Sequence, residues 1–467
     1  MQLPLVVPAP IVTAHADILR DLCEKRCQFH HFQHDLTGLI VLDNKSLANI
    51  TRCVLESADK THLSRFFSEA PWFQERVNDR RLTSLLQQTQ AVRGPKADAV
   101  LRLDATWCEH GGRLFDEVDR HDHHGADTSP LAHHPVTSSD VRGPVRFPVD
   151  LQVSRRSEEV TRWEACVQQP FPPRLIPTTQ KDRARLHTEV APLWWAAPAF
   201  EKLPHQFRTN IALGIDVLDS AMQHNVPWRV LVFDRWYRAA ELVARARYRK
   251  KDGISVLQKQ RNLETHRCVL QEAAGHSIPL AGPHMAVEEL VPLLPRTASR
   301  AVTIRHPTSW TFPLAVRLPG LGNVRLVVRF KHAELTGTSA VVVSHRVDWQ
   351  TPRILTLSVP RWPIEPFDQD RKGHLGVDTY RMRSAEAIGK HGCLVFVASA
   401  FLPLDGRPSS LTTGSLPLTT IGEACRQQAQ ARMQALILYA HERLQLGQKA
   451  EDLFASLFAK QQTAMAR

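Results

Sequence analysis

No uninterrupted run of about 18 apolar residues occurs in the 467 residues, so a membrane-spanning helix is not expected. The opening segment from Met1 to Pro8 is apolar, but no basic residue precedes it. Prolines at 4, 8 and 10 also break any helix there, which argues against a secretion signal. Cysteine is sparse: eight are scattered along the chain instead of framing a small module. That excludes a disulfide scaffold and reads as reduced thiols in a cytoplasmic protein. Internal repeats, low-complexity tracts, a Walker A loop, a zinc-protease motif and a nucleophile-elbow serine are all missing. What the chain has in surplus is positive charge: 59 Lys and Arg against 47 Asp and Glu, a formal net charge of +12. Such a surplus favours a polyanionic partner, and DNA is the commonest. Hydrophobic residues at 43% and charged residues at 23% are ordinary for a globular protein, and the length suits two to four domains.

Periodicity divides the chain into five parts. Residues 1–95 read as helical, with helical spacing at 46–55, 62–67 and 72–86, a cap from Asp43, Asn44 or Ser46, and a turn at Glu69-Ala70-Pro71. Arg65, Arg76, Arg80 and Arg81 on these helices suit either a DNA-binding module or a plain bundle with solvated arginines. In 96–252, two apolar runs each end on an acid, at Asp104 and Asp234. Between them 107–143 reads as a long polar loop, and 145–153 as a strand whose Pro148 marks an edge or a bulge. A helix is expected from about 238 to 251. Residues 253–340 turn to strands at 302–304, 314–316 and 324–328, with a hairpin turn at Pro319-Gly320 and Gly322-Asn323. A strand at 340–344 and a helix after Thr351 open the part 341–410. Two amphipathic helices, roughly 420–445 and 449–462 and separated at Gly447, fill 411–467.

Two strands ending in Asp suggest a device. Side by side and parallel, they would bring both carboxylates to one sheet edge, where ligands gather. Carboxylates that close need a cation between them, and Mg²⁺ is the usual one. A third acid from a helix would complete a two-metal site for phosphodiester displacement. Arg361, Glu365 and Lys372 follow at spacings of four and seven, which on a helix puts an acid and two cations on one face. Cations there hold phosphate oxygens while the acid holds metal.

This stretch resembles the Tyr-x2-Arg-x3-Glu-x6-Lys signature of bacterial insertion-sequence transposases with a DDE triad. Arg361-Trp362-Pro363-Ile364-Glu365 and the text of 372–388 are similar to the third-acid region of one branch. Val232-Phe233-Asp234-Arg235-Trp236-Tyr237 resembles its second-acid block, and Leu103-Asp104-Ala105-Thr106 its first. Pro135-Val136-Thr137-Ser138-Ser139 and Gly143-Pro144-Val145-Arg146-Phe147-Pro148 resemble the text between, and the likeness runs from about 29 to 402. It implies an α/β fold: a ribonuclease-H-like mixed sheet flanked by helices, with a helical N-terminal region and a mostly β insertion before the third acid. The core would then span 96–252 and 341–410, and the insertion 253–340. Asp104, Asp234 and Glu365 would be the catalytic, metal-binding triad for Mg²⁺, with Mn²⁺ able to substitute. Arg361 and Lys372 would contact DNA phosphates. The partners implied are double-stranded DNA, both terminal inverted repeats and target, and a second copy in the DNA-bound synaptic complex. No membrane is implied, only a cytoplasmic protein held to the nucleoid when bound.

The chain departs from the pattern at three places. Ser358 stands at the Tyr position, Ala105 replaces the usual second acid after Asp104, and prolines at 360, 363 and 366 crowd the segment carrying Glu365. These departures keep two alternatives open: a catalytically inactive or domesticated DNA-binding relative, or a stand-alone metal-dependent nuclease. Arg245, Arg247 and Arg249 end the helix after Asp234, where they either grip DNA or only satisfy the helix dipole. Trp236 and Tyr237 suit base stacking or packing. Cys23, Cys27, His30, His31 and His34 have spacings that zinc could use but no second ligand pair nearby. His121, Asp122, His123 and His124, with Cys108, His110, His133 and His134, form a richer cluster of possible metal ligands, or else only a polar loop beside the active site.

Overall fold

The computed structural model describes residues 2–55, 60–110, 115, 118–120, 130–142, 145–153, 182, 185–186, 189, 210–234, 239–264, 267–270, 277–279, 285–304, 308–336, 339–358, 371–404 and 420–465. They form a mixed α/β structure in which one large sheet is flanked by helices. Its central strand, β1 (Val100–Ala105), comes from the apolar run that ends on Asp104, and it is buried from Val100 to Leu103. On one side β5 (Pro135–Arg142) and the edge strand β6 (Val145–Val153) continue it as an antiparallel meander. On the other side β7 (Val230–Phe233) and β8 (Asp252–Val256) run parallel to it.

The strands of the expected insertion extend this same sheet. β14 (Ala340–Ser344) pairs antiparallel with β8, then β13 (Gly322–Phe330) with β14 and β12 (Thr308–Leu318) with β13. β9 (Arg267–Leu270), β10 (Ser277–Pro279) and β11 (Arg300–Thr303) complete that end. The β12–β13 turn uses Gly320 and Gly322, both at φ +74°, a backbone region that side chains with a Cβ avoid.

The expected loop over 107–143 is corrected: it contains strands. β2 (Cys108–Glu109), β3 (Asp119–Arg120) and β4 (Leu131–His133) form a small separate sheet, and β5 follows them. The sequence of β5, PVTSSDVR, hides its strand because both faces are buried while most of its residues are polar. Two of those groups find partners inside. Arg93 pairs with Asp140 at 3.0 Å, and Ser138 Oγ accepts the Asp150 N–H at 3.2 Å. Burial pushes the Asp140 carboxyl up to about 7 despite that cation. On β6, Pro148 sits at an edge and beside a register shift, because a residue without N–H cannot serve a central ladder.

Strand alternation gives the sheet two different faces. Leu101, Leu103, Leu231 and Phe233 pack beneath α6 (Asn210–Gln223) and α7 (Ala239–Tyr248). Val100, Val230, Val232 and Ile254 face the other way, against Ile354, Leu355 and Leu357 of α8 (Thr351–Ser358).

A second, helical core joins distant parts of the chain. It gathers α1 (Pro10–His15), α2 (Arg26–Val41), α3 (Leu47–Cys53), α4 (Lys60–Ser68) and the start of α5 (Gln74–Thr89). These close around α9 (Ala385–Phe401) and the start of α10 (Ile421–Gln445). Ser46 caps α3 by accepting the Asn49 N–H. α11 (Ala450–Met465) follows a turn at Gly447, φ +86°.

One helix is long and apolar enough to cross a bilayer by length and composition, although its apolar run is interrupted. The helix over 385–404 reaches a mean hydropathy of 1.5, because Lys390 and His391 interrupt its apolar residues without lowering the average enough. That window is 89% buried inside the protein, the position of a core helix.

Candidate active site

Asp104 is the fifth residue of β1, and Asp234 directly follows β7. The pairing of the two strands runs Leu101 with Leu231, Arg102 with Val232 and Leu103 with Phe233, so the next pair in register is Asp104 with Asp234. Parallel neighbours lie about 4.8 Å apart. Both acids are half-buried and stand at the carboxyl end of their strands. The pleat puts Asp104 on the face of Val100 and Arg102, and continues Asp234 onto the face of Val230 and Val232. That face carries α8, which leads in sequence toward Arg361 and Glu365. Asp104 Oδ1 accepts the Ala105 N–H at 2.9 Å, which turns the carboxylate toward the end of the strand.

Glu365 and Arg361 lie outside the described residues, as do Trp236, Tyr237, His121, Asp122, His123 and His124. Ser358 is described: it ends α8 and its Oγ donates to the Leu355 carbonyl at 2.9 Å. Lys372 is half-buried on a single π-helical turn, Arg371–Leu375, that packs against α2, α9 and α10. Among the described residues no group of three or more His, Cys, Asp or Glu side chains is placed to hold a metal ion, and this includes Cys23, Cys27, His30, His31 and His34.

The structure does not bring Arg245, Arg247 and Arg249 to the acids. They lie toward the end of α7, which runs back about 15 Å from the Asp234 side toward the start of β8, under the opposite face of the sheet. Arg245 pairs with Asp219 of α6, Arg249 reaches the same carboxylate at 3.6 Å, and Arg247 donates to the Leu321 carbonyl at 3.4 Å. These are links between helices and strands of the scaffold.

Two features escaped the sequence reading. The first is Arg102, only 3% exposed, two residues before Asp104 on the same face. Burial drives its guanidinium down to about 9, nearby Arg146 adds to this, and Asp104 opposes it. An Arg inside the run Val100-Leu101-Arg102-Leu103 was the available signal. The second is a ring cluster beyond β1. Tyr380 Oη lies 2.6 Å from His133 Nδ1 and 2.9 Å from His110 Nε2, and Phe115 stacks on His110 at 4.6 Å. A phenol has one proton, so it donates to one imidazole and accepts from the other. Burial and the neighbouring His133 hold His110 down to about 4, so it stays neutral near pH 7. His134 stacks on Trp107 at 4.3 Å. His110 and His133 of the expected loop thus anchor the small sheet to Tyr380.

Compared with known proteins, the chain matches no family model, and no curated protein is significantly similar to it.

Proposed function

We propose that the protein is a metal-dependent DNA endonuclease and strand transferase, a DDE transposase built on a ribonuclease-H-like core. The observation that carries this reading is the placement of Asp104 and Asp234 in register at the carboxyl ends of adjacent parallel strands. It is supported by the strand plan: an antiparallel meander β1–β5–β6, then β7 and β8 parallel to β1 with helices between, is what a ribonuclease-H-like core requires. It is also supported by α8, which covers the face shared by both acids and precedes Glu365 in sequence.

Two carboxylates this close are a hard, oxygen-only donor set that suits Mg²⁺ or Mn²⁺, with Glu365 as the third ligand. Bound there, the ions supply the activated nucleophile and stabilise the leaving oxygen of an in-line displacement. Asp104 and Asp234 fix the position of that charge on a rigid sheet edge, and Arg361 and Lys372 orient the DNA phosphates. Cutting at the terminal inverted repeats and joining the freed 3′ end to target DNA differ only in the nucleophile, so one site serves both. Two ends held together call for two copies on DNA.

The test is a cleavage and strand-transfer assay on the element's own ends in Mg²⁺ or Mn²⁺, with Asp234→Asn alongside. The variant keeps shape but loses the charge that holds metal. Its DNA binding is expected to be unchanged or slightly tighter, and its cleavage lower by several orders of magnitude. Unmodified protein that binds the ends tightly yet never nicks them sinks the enzyme reading, and equal cutting by both proteins sinks the triad.

A further inference from the structure

Beside Asp104 the sheet buries a set of hydrogen-bond donors without an acceptor among the described residues. In the β1–β5 pairing Arg102 lies opposite Ser139, and Asp104 opposite Thr137. Directly opposed residues share a face, so all four side chains project to one side of the sheet. Arg102, Ser139 and Thr137 are 3%, 3% and 2% exposed. The Arg102 Nε and Nη2, the Ser139 Oγ and the Thr137 Oγ1 are all buried without a hydrogen-bond partner among the described residues. No ion pair joins Arg102 to a carboxylate among those residues either, while Arg146 comes from β6 on the same face and adds a second cation.

Such a group is costly to bury unmatched, and a guanidinium most of all. The Nε–Nη2 edge of an arginine presents two parallel N–H bonds, the geometry that grips a phosphate or carboxylate two-pronged. A guanidinium accepts no hydrogen bond, and two hydroxyls beside it can each donate one. The missing partner is therefore an oxygen acceptor, and an oxyanion also matches the guanidinium charge.

We propose that Arg102, Thr137 and Ser139 form a binding site for a phosphate group next to Asp104. A phosphodiester has two non-bridging oxygens. Both match the two N–H bonds of the Arg102 edge, with the hydroxyls donating to the same group, which then lies at the Asp104 end of the strand, where the proposed chemistry needs a phosphate. That DNA is the source rests on the transposase reading, whereas the site itself does not.

The experiment uses the full chain without added metal, comparing its thermal unfolding in inorganic phosphate and in chloride at equal ionic strength. A duplex of the element's end forms a second arm. Phosphate is expected to raise the melting temperature by a few degrees through linkage. Arg102→Met and Arg102→Lys should abolish the rise, since lysine keeps the charge but lacks the two-pronged edge, and Ser139→Ala should reduce it. In chloride alone Arg102→Met should melt at or above the unmodified protein, because an apolar chain replaces an unmatched buried cation. A rise with the duplex and none with phosphate, still lost in Arg102→Met, assigns the site to DNA phosphates alone. The proposal is overturned if phosphate and duplex both leave the unmodified protein unmoved. It is equally overturned if Arg102→Met responds like the unmodified protein, or melts well below it in chloride. The phosphate arm holds no metal and reads no cleavage, so this site and the nuclease reading fail separately.

Discussion

Asp35 on α2 has both carboxylate oxygens buried with no hydrogen-bond partner among the described residues, and burial alone raises its pKa from 3.8 to about 8. Between those values the folded chain holds a proton that the unfolded chain has released. Its contribution to stability is therefore complete below about pH 4 and is lost as pH rises through about 8. Histidines act from the other side. Burial holds His34 and His391 down from 6.5 to about 4, so the stability they contribute is present above 6.5 and is lost as pH falls through about 4. Unfolding followed at pH 5, 7 and 9 should thus show a maximum near the middle of that range. Asp35→Asn should flatten the alkaline limb and steepen the acid limb, where Asp35 partly offsets the histidines. An alkaline limb as steep in the variant as in the parent would show that Asp35 is not its cause. None of these burials is visible locally, because a lone Asp or His in an amphipathic helix reads as its solvated residue.

At the scale of elements, local pattern and tertiary placement diverge in informative ways. The β12–β13 hairpin, α3 with its Ser46 cap, and α10 and α11 divided at Gly447 all stand where spacing and turn residues place them. The polar strand β5 does not follow from its pattern, because Ser138 and Asp140 find partners on β6 and in Arg93, outside its own sequence window. Gly38 shows the same dependence. A Cβ there would lie 2.6 Å from Ile50 Cγ1, so α2 and α3 touch through the missing side chain. Helix propensity favours Gly38→Ala by about 1 kcal/mol, whereas overpacking costs about 1–3 kcal/mol. The clash should win, and the variant should melt lower by a few degrees. A higher melting temperature would mean that Ile50 yields without strain.

For the whole molecule, the formal charge of +12 is a property that no single element carries. Lysines and arginines that displace condensed counterions make DNA affinity fall steeply with salt. Between about 50 and 200 mM salt, non-specific binding should weaken by orders of magnitude, read by fluorescence anisotropy on a random duplex. A flat response would rule out an extended phosphate-binding surface. Since Arg245 and Arg249 are committed to Asp219, substituting them should lower stability more than it lowers that slope. The sequence by itself determined the strand-ending acids at 104 and 234, the edge character of 145–153, the hairpin and the C-terminal helices, because periodicity, proline and glycine act over a few neighbouring residues. Only the tertiary structure decided that β1 and β7 are parallel neighbours in register, and that the strands of 267–344 extend the same sheet. It also decided that α9 is a buried core helix and that Arg102, beside Asp104, has no hydrogen-bond partner for its Nε and Nη2 among the described residues. These depend on pairings between residues tens to hundreds of positions apart, and a strand's own sequence does not name the neighbour that satisfies its backbone or its buried charge.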